Sequence, residues 1–180
     1  MAGLVANTYA TALYELGVEE NKLDVFMDNL SVLKDTLKDN EKFLEILKTP
    51  SIDSNEKKQL IDNIFKEKFD NEIINFFKLL VDKRRFAYIL EIIEVFSEST
   101  DKYKGIIRAD VYSSFKLSED QLNKLSDRLK EKTKKTVLLN NVVDKNLIGG
   151  LKLVMNDTTV DGSIKGKLED LSGSLSKIIV

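Results

Sequence analysis

Hydrophobic residues in the first hundred positions recur three and four apart, the period of a helix with one buried face. The first helix is predicted over about residues 4–16, ending at Gly17, a residue suited to the left-handed turn after a helix. Val5, Tyr9, Ala12, Leu13 and Leu16 form its apolar stripe, and Ala2, Ala6 and Ala10 form a strip of small residues beside it. Leu23, Phe26, Leu30, Leu33 and Leu37 place a second helix in a bundle, and Phe43, Leu44 and Leu47 a short third one. Pro50 ends the third, because the residue before a proline is pushed out of the α region. Asp53 and Glu56 make a capping box for a fourth helix that buries Leu60, Ile61, Ile64 and Phe65. The fifth, about residues 71–82, is apolar around most of its circumference, so it is either central or shares a face with another protein. After Lys83-Arg84-Arg85 a sixth helix carries Phe86, Ile89, Leu90, Ile93 and Phe96.

Beyond Gly105 the period becomes two. Ile107, Ala109, Val111, Ser113 and Phe115 alternate with Arg108, Asp110, Tyr112 and Ser114, as in a half-buried strand. Ser118 with Gln121 caps a helix striped by Leu122, Leu125 and Leu129. Residues 136–143 read as a second strand, and 151–155 and 158–160 as a hairpin turning at Asn156-Asp157. A last helix from about Ser163 is striped by Ile164, Leu168, Leu171, Leu175 and Ile178. The prediction is an α+β protein. A six-helix bundle (residues 1–105) is followed by a small β-α-β-β-α domain (residues 106–180).

Composition narrows the chemistry. The 180 residues contain no Cys, His or Trp. That removes Ser–His and Cys–His nucleophile pairs, an imidazole base, the usual zinc ligands and any disulfide. Carboxylates, Lys, Tyr and Ser remain, and adjacent acids such as Glu19-Glu20 or Glu169-Asp170 point different ways on a helix rather than into one pocket. No catalytic, cofactor or metal site is expected. Residues 1–105 hold 15 Lys+Arg against 20 Asp+Glu, and residues 106–180 hold 13 against 10. Neither part has the concentrated basic face of a nucleic-acid binder. The N-terminus lacks the basic start and apolar run of a signal peptide, and no apolar stretch approaches the roughly 18–20 residues of a membrane span, so a cytoplasmic protein is expected.

The motifs that suggest ligands fail in detail. Gly162-Ser163-Ile164-Lys165-Gly166-Lys167-Leu168 resembles a phosphate loop, but its glycines are one residue too close and Leu168 stands where Ser or Thr binds magnesium. Gly162 more simply supplies a turn conformation. Segments starting at Asp144 and Asp157 resemble calcium loops, yet their twelfth positions are Met155 and Leu168 rather than Glu. Gly149-Gly150 permits either a bulge or the close approach of a partner backbone. Lys83-Arg84-Arg85 suits either phosphate or the negative end of a helix dipole.

Several segments together resemble one family. They are Val5-Ala6-Asn7-Thr8-Tyr9-Ala10-Thr11-Ala12-Leu13-Tyr14-Glu15-Leu16, Pro50 followed by Lys57-Lys58-Gln59-Leu60-Ile61, and Asn75-Phe76-Phe77-Lys78-Leu79-Leu80 with Arg84-Arg85-Phe86. Near the end stand Val143-Asp144-Lys145-Asn146-Leu147-Ile148-Gly149-Gly150-Leu151, then Val160-Asp161-Gly162-Ser163-Ile164 and Leu168. They resemble the delta subunits of bacterial F-type ATP synthases, similar to the mitochondrial oligomycin-sensitivity-conferring protein, over essentially the whole chain. Asn7-Thr8 departs where the family commonly has a basic residue, and Lys134-Lys135 where a glycine is common.

The resemblance implies a non-catalytic stator subunit, peripheral on the cytoplasmic face of the cell membrane, without direct membrane insertion. It implies that the helical domain binds N-terminal segments of alpha subunits and that the second domain binds the C-terminal region of the b stalk. The alpha-binding role is carried to Ala6, Tyr9, Ala10, Leu13, Phe76 and Leu80. The stalk-binding role is carried to Gly149, Gly150, Ile164, Leu168, Leu171 and Leu175. The competing reading is a free-standing helical adaptor, also without catalysis.

Overall fold

A computed structural model describes residues 2–155 and 158–167 of the chain. Up to Thr100 and from Asp101 onward the chain forms two compact units. In the first, α1 (Ala2–Glu19), α2 (Leu23–Asp39), α3 (Glu41–Lys48), α4 (Ser54–Phe65) and α5 (Asn71–Asp82) are followed by a 3-10 turn at Phe86–Tyr88 and by α6 (Ile89–Lys104) as far as Thr100.

The helix boundaries follow from local chemistry. Thr49 is extended (φ −67°, ψ 119°) before Pro50, so α3 stops at Lys48. Asp53 caps α4 by accepting from the Asn55 N–H at 2.8 Å, and Asp70 caps α5 by accepting from the Glu72 N–H at 3.0 Å. Helix α1 does not stop at Gly17. Asn21 takes the left-handed conformation (φ 55°), with Lys22 N–H donating to the Gly17 carbonyl and Asn21 N–H to that of Val18. This is the paired bonding that closes a helix end, with Asn standing in for glycine. Gly17 is needed for space instead. A Cβ there would lie 2.8 Å from Leu23 Cδ2 and 3.1 Å from Phe26 Cδ2, so its absence lets α2 pack onto α1.

Twenty-three buried apolar residues form one core among the described residues of this unit. Helix α5 is its centre. Ile73, Ile74, Phe76, Phe77, Leu80 and Val81 are all buried, and Leu79 alone of its apolar residues is exposed, at 43%. Phe77 meets Phe65, Phe69 and Phe86 edge-on, with ring centroids 6.2 Å apart in each pair. Polar ties fix the same helix. Asn29 of α2 accepts the Asp70 N–H at 2.8 Å, Lys22 pairs with Asp70, and Lys78 pairs with Asp62 of α4.

The second unit is a four-stranded sheet with one described long helix. Strands β1 (Ile106–Ser113), β2 (Thr136–Val143), β3 (Leu151–Met155) and β4 (Thr158–Asp161) lie in the order β2-β1-β3-β4. β1 and β2 are parallel and joined through α7 (Glu119–Thr133); β1–β3 and β3–β4 are antiparallel. The expected β-α-β-β-α order is thus one strand short, because the hairpin contributes two strands. Ser118 and Gln121 complete both halves of the capping box of α7. Ala109, Val111, Val137 and Leu153 point to the α7 side and, with Leu117, make a core of five. Phe115 lies past the end of β1 and is 60% exposed rather than inward, since the strand closes at Ser113. Ile164 to Lys167 are helical, and the remainder of the expected last helix lies outside the described residues.

Candidate partner-binding surfaces

The first candidate surface lies on α1 and α5. Tyr9 and Phe76 bring the two helices together edge to face, with centroids 6.3 Å apart. Of the six residues assigned to alpha binding, Ala6, Ala10, Leu13, Phe76 and Leu80 are between 0% and 7% exposed, and Tyr9 is half-buried. Their apolar stripes are satisfied within the unit's own core, and the small residues Ala6 and Ala10 lie packed inside it. Ala12 of the α1 stripe is exposed, and the large apolar side chains these helices present outward are Leu4, 75% exposed, and Leu79. Leu79 was detectable in the sequence. Asn71, Asn75, Leu79 and Asp82 form the one polar row of α5, and a lone leucine there has no core to enter.

The second surface is built by glycines. Gly150 has φ +83°, and a Cβ would sit 2.5 Å from the Gly162 carbonyl oxygen and 2.8 Å from Ser163 Cα. The backbone that approaches is therefore the chain's own. Gly162 N–H donates to Leu151 O and Ile164 N–H to Gly149 O, both at 2.9 Å. Gly149 borders the Ile164 side chain. Gly162 does not adopt a positive φ; it is small because a Cβ would lie 3.1 Å from Leu151 O. Ile164 is 47% exposed. Leu168, Leu171 and Leu175 lie outside the described residues. Val143, Ile148 and Val160 of this unit are also exposed.

Electrostatics reinforce the local fastening. Asp161 accepts the Ser163 N–H at 2.8 Å. Hydrogen bonds from the Ser163 side chain, then from its backbone, and the charge of Lys152 hold the Asp161 carboxyl below its ordinary range. Arg108 grips Asp101 in a bidentate pair, through Nε to Oδ2 and Nη2 to Oδ1. The hydrogen bond to Asp101 raises the guanidinium pKa further above its already high value, against a smaller opposing effect of burial. Among the described residues no group of three or more carboxylates is placed to hold a metal ion. None of the described helices is long and apolar enough to cross a membrane.

A helical body followed by a mixed-sheet body, each with its own core, defines an α+β protein of two units. The family model for the ATP synthase delta (OSCP) subunit matches residues 5–175. The chain is 35% identical over 180 residues to ATP synthase subunit delta of Clostridioides difficile, covering 99% of each chain. It is 34% identical to that of Alkaliphilus oremlandii over 180 residues, covering all of both, and 35% identical to that of Chlorobaculum tepidum over 174 residues, 97% of this chain and 96% of the other. Its fold matches a chain of the Toxoplasma gondii mitochondrial ATP synthase hexamer with TM-score 0.75 at 19% identity, covering 94% of this chain and 96% of that one. The chain belongs to the ATP synthase delta (OSCP) subunit family. It is a component of the peripheral stalk of F-type ATP synthase, and its partners are subunits of that complex.

Proposed function

We propose that the chain is a non-catalytic stator link on the cytoplasmic face of the cell membrane, joining the catalytic head to the membrane-anchored b stalk so that ion-driven rotation is resisted. Its helices up to about residue 105 act as a six-helix bundle that receives N-terminal segments of alpha subunits. The domain from about residue 106 receives the C-terminal region of b. A stator link must stay bound under torque, which favours apolar helix-in-groove contacts on rigid bodies.

The observation that carries the first contact is the meeting of α1 and α5 at Tyr9 and Phe76, two helices that also expose Leu4 and Leu79. Ala6, Ala10, Leu13, Phe76 and Leu80 serve as the packed floor that sets the spacing of those helices, and the half-buried Tyr9 is left partly open to the partner. The stalk contact is assigned to Ile164 with Leu168, Leu171 and Leu175, and the Gly149-Gly150 turn holds the start of that segment against β3.

The test uses the full chain and a peptide of the alpha N-terminus. Leu79→Glu and Leu4→Glu change exposed positions and leave the core intact. Each is expected to weaken peptide binding at least tenfold while the helical circular dichroism is unchanged. Unaltered affinity in both folded variants removes the assignment to this face. Ile164→Glu is the corresponding variant for a soluble fragment of b.

A further inference from the structure

A second kind of site lies within the helical unit, where α3 ends and α4 begins. A cavity of about 320 Å³ opens there, with Leu47, Ile52, Val81 and Phe86 among its apolar walls. Three cationic side chains line it, Lys48, Lys57 and Arg84, against the single carboxylate of Asp53. Asp53 Oδ1 is already engaged, accepting the Asn55 N–H.

Two features here are costly and have no counterpart in the packing around them. Lys57 is only 7% exposed. Its Nζ donates to the Thr49 carbonyl at 2.6 Å, and among the described residues no carboxylate closes an ion pair with it. An ammonium has three N–H donors, and a buried charge without an opposite charge is unfavourable. Arg84 occupies the left-handed position that closes α5, at φ 54°, with its N–H donating to Val81 O and the Arg85 N–H to Leu80 O. Glycine is the residue suited to that position, so folding gains nothing locally from an arginine. The third wall is the first turn of α4, whose N-terminal end carries partial positive charge.

We propose that this cavity is an oxyanion-binding site, in which Lys57 and Arg84 close on one carboxylate or phosphate group over the N-terminus of α4. The bound anion supplies the missing countercharge of Lys57 and gives the strained Arg84 a function. The apolar walls beneath lower the local dielectric and so strengthen the ion pairs. Its lining shares no residue with those assigned to alpha or stalk binding, so it survives or fails without them.

The experiment titrates the isotope-labelled full chain with sodium phosphate and, in a separate arm, with sodium acetate, each balanced with chloride to constant ionic strength. Saturable amide shifts confined to residues 48–57 and 81–87 are expected. Lys57→Met, which keeps the buried stem, and Arg84→Gly, which relieves the left-handed strain, are each expected to raise the dissociation constant at least tenfold. Arg84→Gly should melt no lower than the parent chain, so it decides the matter if Lys57→Met fails to fold. Tighter binding of phosphate than of acetate assigns the site to phosphate groups, and the reverse assigns it to carboxylates. Linear shifts scattered over the surface, or an unchanged constant in Arg84→Gly, would overturn the proposal.

Discussion

The two units are held together by different means. Among the described residues the helical unit buries 23 apolar residues in one cluster and centres them on α5, with Phe65, Phe69 and Phe77 in mutual ring contact and Phe86 against Phe77. The sheet unit buries five among the described residues, and no residue of α7 is fully buried. Its coherence comes from strand ladders, from the Gly149–Ile164 fastening and from the side chain of Asn141. That amide accepts the Leu117 N–H at 2.8 Å and donates to Val111 O at 2.9 Å and to Ser113 Oγ at 2.7 Å. Side-chain volume stabilises the first unit, whereas directional bonds at a few positions stabilise the second. The first should therefore respond most to lost volume and the second to lost geometry.

The largest expected effect is on volume. Phe77 is fully buried against four aromatic rings, so Phe77→Ala should cost about 3–5 kcal/mol through lost transfer energy and the cavity left behind. Native-state amide exchange should accelerate through α4 and α5, with β1 to β3 left unchanged. A loss below about 1 kcal/mol would mean the aromatic cluster collapses around the gap, and the contrast between the units would weaken.

Geometry comes next. In Gly150→Ala the positive φ alone costs roughly 1–2 kcal/mol, and the contact with the Gly162 carbonyl adds to it. Protection of the Gly162 and Ile164 amides should fall first, because their acceptors are Leu151 and Gly149. Asn141→Ala removes almost no apolar contact, yet it leaves the Leu117 N–H without its side-chain acceptor. A cost of about 1–3 kcal/mol is expected from unpaired polar groups, read by urea denaturation of the full chain. If Asn141→Ala were neutral, the sheet unit would rest on its small apolar core after all.

Which features were legible in the sequence follows the same division. The stripes of α2 and α5, the capping box at Ser118 and Gln121, and the break at Pro50 are local patterns, and the helices obey them. Asp70 as a cap was equally local but masked by the apolar run that follows it. What the sequence hid is relational. Gly17 looked like a helix stop because glycine favours left-handed turns, but its role depends on Leu23 and Phe26 arriving from α2. Gly149-Gly150 left bulge and partner approach both open, since the approaching segment, residues 162–164, lies a hairpin away in sequence. The alpha-binding role of the residues on α1 and α5 rests on the resemblance, and their helical spacing marks what is buried without saying by whom. Lys134 shows the reverse case. It takes the left-handed φ of 57° that ends α7, a conformation suited to glycine that the local lysine-rich pattern did not signal.

The smallest expected effect concerns a proton at the sheet's end. Asp161 is held below its ordinary value of 3.8, first by the Ser163 side chain, then by the Ser163 N–H, with a further contribution from Lys152. A carboxyl depressed in the folded state adds stability that is complete above its unfolded pKa and disappears as pH falls through the lower folded value. Above about pH 4 the contribution should be flat, and below it the fastening of residues 161–166 should loosen. Carbon-detected NMR of the Asp161 carboxyl should give a midpoint below that of the unfolded chain. Ser163→Ala should raise the midpoint only part of the way back, because the backbone bond at 2.8 Å survives the substitution. The same variant removes the hydroxyl that accepts the Gly166 N–H at 3.0 Å, so protection of that amide should fall at every pH. A midpoint unmoved by Ser163→Ala would assign the depression to the backbone bond and Lys152. The sheet unit would then be fastened there by a side-chain carboxylate on a backbone N–H, as α4 and α5 are at their caps.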